Sequence, residues 1–204
     1  QLTLTGSGAQ VPYIWLPATV SDGVAFVPPV GNSQYIVTAS DANGCTDTDT
    51  INIVVNPLPT VVANASDVAI CEGDSIYLFG TGASTYTWND GTQSYQDSVY
   101  IVPPAGSNDY YVLGTDVNGC ENRDTITVVV TPAPTVVANT TGNNLCTPAT
   151  ITLTGSGTAG ATYTWNPATV TDGIPFNPPV DTTDYIVTGT EPITGCSAKD
   201  TITI

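Results

Sequence analysis

Three near-copies of one sequence follow one another in this chain of 204 residues, and their spacing sets the scale of what it can fold into. Leu2-Thr3-Leu4-Thr5-Gly6-Ser7-Gly8 returns as Ile151-Thr152-Leu153-Thr154-Gly155-Ser156-Gly157, with a looser version from Ile76 to Gly82. Each copy runs on to an aromatic-x-Trp, a Pro-Pro or similar step, a Tyr-rich strand and a Gly-Cys pair. The cysteines of these Gly-Cys dipeptides, Cys45, Cys120 and Cys196, are spaced 75 and 76 residues apart. A fixed period of this length means an array of small units, and such arrays span distance or present surfaces more often than they perform chemistry. Modules are predicted at 1–56, 57–131 and 132–204.

A module of about 75 residues is near the size limit at which a lone hydrophobic core stabilises a fold, so help from disulfides or neighbours is expected. Eighteen acidic residues against two basic ones, Arg123 and Lys199, and no His give a net charge of −16. Such a charge repels phosphate backbones and anionic lipid, which argues against nucleic-acid partners and against membrane binding. No stretch sustains a 3.6-residue apolar period, whereas β-branched and aromatic residues recur at strand spacing. No apolar run has transmembrane length. With no Met and no signal peptide, the chain reads as a mature protein or a window cut from one. The ends suggest a window. Gln1 falls at the strand that follows a first cysteine in the other copies, and Ile204 falls inside a last strand. The first module therefore lacks its first strand, by truncation or because another subunit donates one.

The middle copy shows the pattern of one module. Pro57-Leu58-Pro59 is a stiff linker, matched by Pro132-Ala133-Pro134. Strands are predicted over 60–64, 75–79, 85–88, 98–102, 109–115 and 124–130, with Thr60–Asn64 repeated identically at Thr135–Asn139. Ile76 and Leu78 point inward. Cys71-Glu72-Gly73-Asp74 is a turn, Pro103-Pro104 ends pairing by removing two donors, and Asn118-Gly119 closes a hairpin with positive φ. About seven short strands per module, with turn signals between them, read as an all-β sandwich.

The order Cys, Trp, Tyr, Cys resembles an immunoglobulin-like or PKD-like domain. So do Pro-Thr-Val-Val-Ala-Asn, Cys71-Glu72-Gly73-Asp74-Ser75-Ile76-x-Leu78, Tyr-Thr-Trp, Tyr-x-Val-x-x-x-Asp-x-Asn-Gly-Cys and Asp-Thr-Ile. More specifically, the set is similar to the Ig-like repeats of giant Bacteroidota surface proteins, such as gliding-motility adhesins and other type IX secretion substrates. The resemblance covers the whole chain. It implies tandem Ig-like β-sandwich modules arranged as a rod, outside the cell or on its surface.

The five cysteines then follow the modules. Cys71 and Cys120 lie in the second module and Cys146 and Cys196 in the third, while Cys45 stands alone in the first. Regular pairs in small β-modules suggest an oxidising compartment. Cys71 sits at the turn after the first strand and Cys120 at the opposite turn. Strand residues from Tyr110 to Asp116 span about 20 Å, yet a disulfide needs Cα atoms within about 7 Å. An inter-module bridge, Cys71–Cys196, answers this. Cys45 and Cys120 would then bond upstream cysteines, and Cys146 a downstream one. Pairs inside each module, Cys71–Cys120 and Cys146–Cys196, remain the rival.

Trp15, Trp88 and Trp165 occupy equivalent positions and are predicted core anchors. Tyr35, Tyr110 and Tyr185 are predicted structural strand residues. Tyr95, Tyr100 and Tyr111 belong to the middle module alone and could meet a glycan or partner. Asp followed by Thr or Ser matches the O-glycosylation sequon that the resemblance implies. It marks Thr50, Ser75, Ser98, Thr125, Thr182 and Thr201, although a strand start after a polar turn produces the same pattern. Asn64-Ala65-Ser66 and Asn139-Thr140-Thr141 fit an N-glycan sequon. Asp41 with Asn43, and Asp116 with Asn118, could contribute oxygens to calcium, but no run supplies the roughly six to eight that calcium takes. No metal site and no other cofactor is expected. With no His, no thiol left free once the cysteines pair, and no Gly-rich loop before a helix, catalysis is not expected.

The function expected is structural: a segment of a long extracellular filament or adhesin. Its partners would be neighbouring modules, other copies, and surface glycans or other cells. The alternative is a carbohydrate-binding or spacer module of a larger secreted enzyme. Ala18–Val24 matches Ala168–Ile174 closely, so the first and third modules are more alike than either is to the second, and an array with a doubled, alternating period is expected.

Overall fold

The computed structural model describes residues 1–8, 12–89, 94–96, 98–143, 145–146 and 148–204, with backbone only at 94–96. All regular structure among them is β. The first repeat contributes β1 (Leu2–Thr3), β2 (Ile14–Leu16), β3 (Ala25–Phe26), β4 (Gly31–Ser40) and β5 (Thr46–Val55). The second contributes β6 (Val62–Ala65), β7 (Ala69–Cys71), β8 (Ile76–Thr81), β9 (Thr85–Asn89), β10 (Ser94–Gln96), β11 (Ser98–Ile101), β12 (Gly106–Thr115) and β13 (Glu121–Thr131). The third contributes β14 (Val136–Thr140), β15 (Ile151–Gly157), β16 (Thr162–Asn166), β17 (Pro175–Phe176), β18 (Asp184–Thr190) and β19 (Ser197–Thr203).

Alternation along the strands explains the layers. In β18 the buried residues are Tyr185, Val187 and Gly189, and in β8 they are Ile76 and Leu78, each separated by a more exposed neighbour. One face of every such strand is therefore apolar and needs a second sheet to cover it. In the third repeat β14-β15-β17 form one sheet and β16-β18-β19 the other. Ile151 and Leu153 of the first sheet pack with Trp165, Tyr185 and Val187 of the second. This strand order, first-second-fifth against third-sixth-seventh in immunoglobulin lettering, is that of an Ig-like sandwich. The second repeat has β11-β8-β6 against β10-β9-β12-β13-β7, and the first has β1-β3 against β2-β4-β5. Every sheet takes its strands from a single repeat.

The strands differ in detail from the sequence expectation. Pairing of the first strand begins at Val62, not Thr60, because β8 ends at Thr81 before the Gly82 turn (φ 90°) and leaves nothing opposite Thr60 and Val61. Residues 69–71, approaching the expected turn, instead form β7, which pairs in parallel with Val129–Thr131 of β13. β10 is a further strand. Asp49, Asp124 and Asp200 lie inside β5, β13 and β19, not at strand starts after a polar turn.

One close approach explains a repeated glycine. A Cβ at Gly6, Gly80 or Gly155 would enter the ring of Tyr13, Tyr86 or Tyr163 respectively, so the second strand must be bare where the tyrosine crosses it.

The chain divides into two compact units. One comprises Gln1–Thr60 with Gly82–Thr85 and Gly114–Asn122. The other comprises Val61–Thr81, Tyr86–Leu113 and Arg123–Ile204.

Candidate functional site

Cys71 and Cys196 form a disulfide with their Cα atoms 5.5 Å apart, inside the range such a bond requires. It joins residues 125 apart in sequence and crosses from the second repeat to the third. Cys71 ends β7, which β13 holds beside the exit from the second repeat. The turn that follows grips the linker directly. The Glu72 N–H donates to Thr131 O at 2.8 Å, and the Glu72 carboxylate accepts the Ala133 N–H at 3.1 Å. The earlier linker is held differently, by Asn122 Nδ2 donating to Pro59 O at 2.9 Å. Cys45, Cys120 and Cys146 are not bonded, and neither Cys71–Cys120 nor Cys146–Cys196 is formed.

Cys196 is presented by a hairpin whose acidic residue organises the turn. Glu191 accepts N–H groups of Thr194 (2.7 Å) and Ile193 (3.1 Å) and the Thr194 hydroxyl (2.8 Å). The two other hairpins do this with Asp. Asp41 Oδ1 accepts the N–H groups of Asn43 and Cys45, and Asp116 Oδ1 those of Asn118 and Cys120, at 2.8 and 2.9 Å in each case. The Cys45 N–H holds the Asp41 carboxyl below its ordinary range, the Cys120 N–H does so for Asp116, and the Thr194 N–H for Glu191. Among the described residues, no three His, Cys, Asp or Glu side chains gather around a common point that could hold a metal ion.

The three Trp residues are buried, Trp88 completely. Sequence reasoning missed their partners. Trp15 Nε1 donates to Asp22 Oδ1 at 3.1 Å, and Gly6 N–H donates to the same oxygen at 2.7 Å. In the third repeat, Asp172 Oδ1 takes Trp165 Nε1 at 2.9 Å and Gly155 N–H at 2.7 Å. The signal was present as an Asp seven residues after each of these tryptophans.

Tyr35, Tyr110 and Tyr185 are buried. Tyr100 is 75% exposed and lies across from Tyr77, their ring centroids 4.7 Å apart, while Tyr77 stacks on Phe79 at 5.7 Å. Tyr77 and Phe79 were missed, although they alternate with the inward Ile76 and Leu78 and so had to face out. Tyr111 lies in the opposite sheet, and the side chain of Tyr95 is outside the described residues.

Thr50, Ser75, Ser98, Thr125, Thr182 and Thr201 are all exposed. Asp97, which precedes Ser98, lies outside the described residues. The preceding aspartates in β13 and β19 act as cross-sheet acceptors: Asp124 Oδ2 takes the Ala63 N–H at 2.8 Å, and Asp200 Oδ2 that of Ala138 at 2.9 Å. Asn139 Nδ2 donates to Ser156 Oγ at 2.9 Å, and Asn64 Nδ2 to Val62 O at 3.2 Å.

No family model matches the chain, and no curated protein matches it. Solved structures with local similarity include murine CEACAM1b, at 13% identity and TM-score 0.34 over 71% of this chain and 98% of that one. The fibronectin(III)-like modules of Clostridium thermocellum CbhA match at 14% and 0.34, over 71% and 93%. A calcium-stabilised, ice-binding adhesin of an Antarctic bacterium matches at 20% and 0.36, over 85% of this chain and 55% of that one. At these scores the likeness does not extend to a common arrangement or a function.

Proposed function

We propose that the chain is a load-bearing segment of a long extracellular filament or adhesin, built from Ig-like modules at 1–56, 57–131 and 132–204 set end to end as a rod. The observation that carries this is the bond from Cys71 to Cys196, which ties one repeat to the next. Glu72 on the following linker adds to the same tie. A covalent tie between successive repeats keeps them joined when the chain is pulled, which suits a segment under tension. In this reading the protein is not an enzyme and needs no cofactor, and its partners are neighbouring modules and other copies. Exposed Thr50, Ser75, Ser98, Thr125, Thr182 and Thr201 are open to O-glycosylation, as expected for an exported Bacteroidota surface protein.

Pulling a single chain by its ends tests the load path. With the disulfide intact, the residues it encloses cannot extend. A reductant, or Cys71→Ser with Cys196→Ser, should release about 400 Å of additional chain. Equal extension in both states would remove the load-bearing argument.

A second reading, carbohydrate binding, is favoured by the outward aromatic row of Phe79, Tyr77 and Tyr100. Glycan retention that falls on Tyr100→Ala would put this reading first.

A further inference from the structure

The first repeat has an open groove of about 690 Å³, lined by Leu4, Gly6, Tyr13, Trp15, Val37 and Asp49 among others. In the other two repeats a strand occupies the matching place. β6 lies on β8 with Ala63 opposite Gly80, and β14 lies on β15 with Ala138 opposite Gly155. Gly6 is the equivalent glycine. Each seated strand also reaches the other sheet, where the N–H of its alanine donates to Asp124 or Asp200. Asp49 is the equivalent aspartate. Its Oδ1 takes the Thr50 N–H at 2.7 Å, as Asp200 Oδ1 takes that of Thr201 at 2.8 Å. Its Oδ2 has no donor among the described residues.

Two further features extend the match. β7 continues the seated segment and pairs in parallel with Val129–Thr131. By sequence register the corresponding positions of β5 and its end are Val54, Val55 and Asn56. The thiol that ends this segment, Cys71, is taken by the hairpin cysteine of the next repeat. The equivalent hairpin cysteine for the first repeat is Cys120, which is free. It lies in Gly114–Asn122, part of the same compact unit as Gln1–Thr60. Asn122 fastens that stretch to Pro59, three residues beyond Asn56.

We propose that this groove is a strand-acceptor site for an unpaired copy of the segment Thr-Val-Val-Ala-Asn-x6-Cys. The strand would add antiparallel to β1, give its Ala N–H to Asp49 and join its cysteine to Cys120. The strands of both copies within residues 1–204 are already paired in their own repeats, Val62–Ala65 on β8 and Val136–Thr140 on β15, so the occupant is a copy outside these residues. Charge agrees: Asp41, Asp47 and Asp49 line the groove, which favours a strand whose docking part is uncharged and offers N–H donors. Joining two thiols removes two electrons and two protons, which a small-molecule disulfide of the glutathione type accepts as it leaves as two thiols. The proposal depends on the tandem-array reading only for where such a segment would come from.

The test uses the whole 204-residue chain and a synthetic peptide of the sequence Thr60–Cys71. The peptide cysteine is activated as a mixed disulfide with a small aromatic thiol. The Cys120 thiolate attacks the peptide sulfur, the new S–S bond forms, and the aromatic thiolate leaves with the electron pair. Peptide mapping should find the label at Cys120, at least about tenfold faster than with a scrambled peptide. This is the reverse of what accessibility alone predicts, since Cys45 and Cys146 are exposed and Cys120 is only partly so. Asp49→Ala should slow the labelling about tenfold. Independently, the Cys-to-Ser peptide should slow amide exchange across Leu2–Gly6. Equal labelling of the three cysteines, or unchanged exchange at β1, overturns the proposal. So does a dimer in which a second copy's own strand fills the groove. None of these outcomes alters the pulling result, so the acceptor site can fail while the array reading stands.

Discussion

The first and third repeats share most of their core residues yet bury them unequally. Leu153 is fully buried and its equivalent Leu4 is 6% exposed. Ile151 and Val187 are also buried, but Leu2 and Val37 are only partly so. Trp15 and Trp165 are buried to the same extent. The difference therefore lies on one side of the sandwich, where β14 adds Val136 and Ala138 to the third core and no described strand does so for the first. In a module this small, one edge strand decides whether the second strand is a core element or the wall of a groove.

Truncating the equivalent leucines is the strongest way to break that comparison. Leu153→Ala should destabilise the third repeat by about 3–4 kcal/mol, because the cavity is enclosed on all sides. Leu4→Ala should cost the first repeat nearer 2 kcal/mol, since water already reaches its groove. Amide exchange resolved by repeat would measure both, and equal losses would mean that the open side does not weaken the core. The aspartates under the tryptophans give a smaller and more even effect. Asp172→Ala leaves Trp165 Nε1 and Gly155 N–H without their acceptor, at a cost of about 2 kcal/mol. Asp22→Ala should cost somewhat less, because its site is more exposed. A larger loss at Asp22 than at Asp172 would show that the node, not the edge strand, holds the first repeat together.

Much of this was legible because it repeats. The period of glycine and cysteine marks the repeats, and the alternation around Ile76 and Leu78 marks the buried face. The identical Thr60–Asn64 and Thr135–Asn139 mark the edge strand. What was hidden depends on partners far away in sequence. β7 is three residues long, and its parallel partner lies some 60 residues on, so no local pattern announces it. Asp124 and Asp200 look like polar strand starts until the strand crossing from the other sheet is seen to end on them. The Cys71–Cys196 bond was one of two open pairings. Sequence places each cysteine near an end of its repeat but does not say which ends meet, and Glu72, which holds the linker beside Cys71, reads only as part of a turn.

The smallest effect is one of pH, and it separates an acceptor common to all repeats from one tied to the edge strand. The Asp200 carboxyl is held below its ordinary value of 3.8, first by the Ala138 N–H and then by that of Thr201. A carboxyl depressed in the folded state stabilises the fold above its unfolded pKa and loses that contribution as pH falls through the folded value. Acidification below about pH 4 should therefore loosen β14 from β19. The hairpin carboxyls of Asp41, Asp116 and Glu191 are depressed by their own turn N–H groups, so acid should also relax the three hairpins. Asp200→Ala should flatten only the β14 part of the acid response and leave the hairpins unchanged. Amide exchange at Ala138 followed from pH 6 to pH 3 would show it. If the variant keeps the full acid response at β14, the strand is held by its pairing with β15 alone and Asp200 is not its anchor to the second sheet.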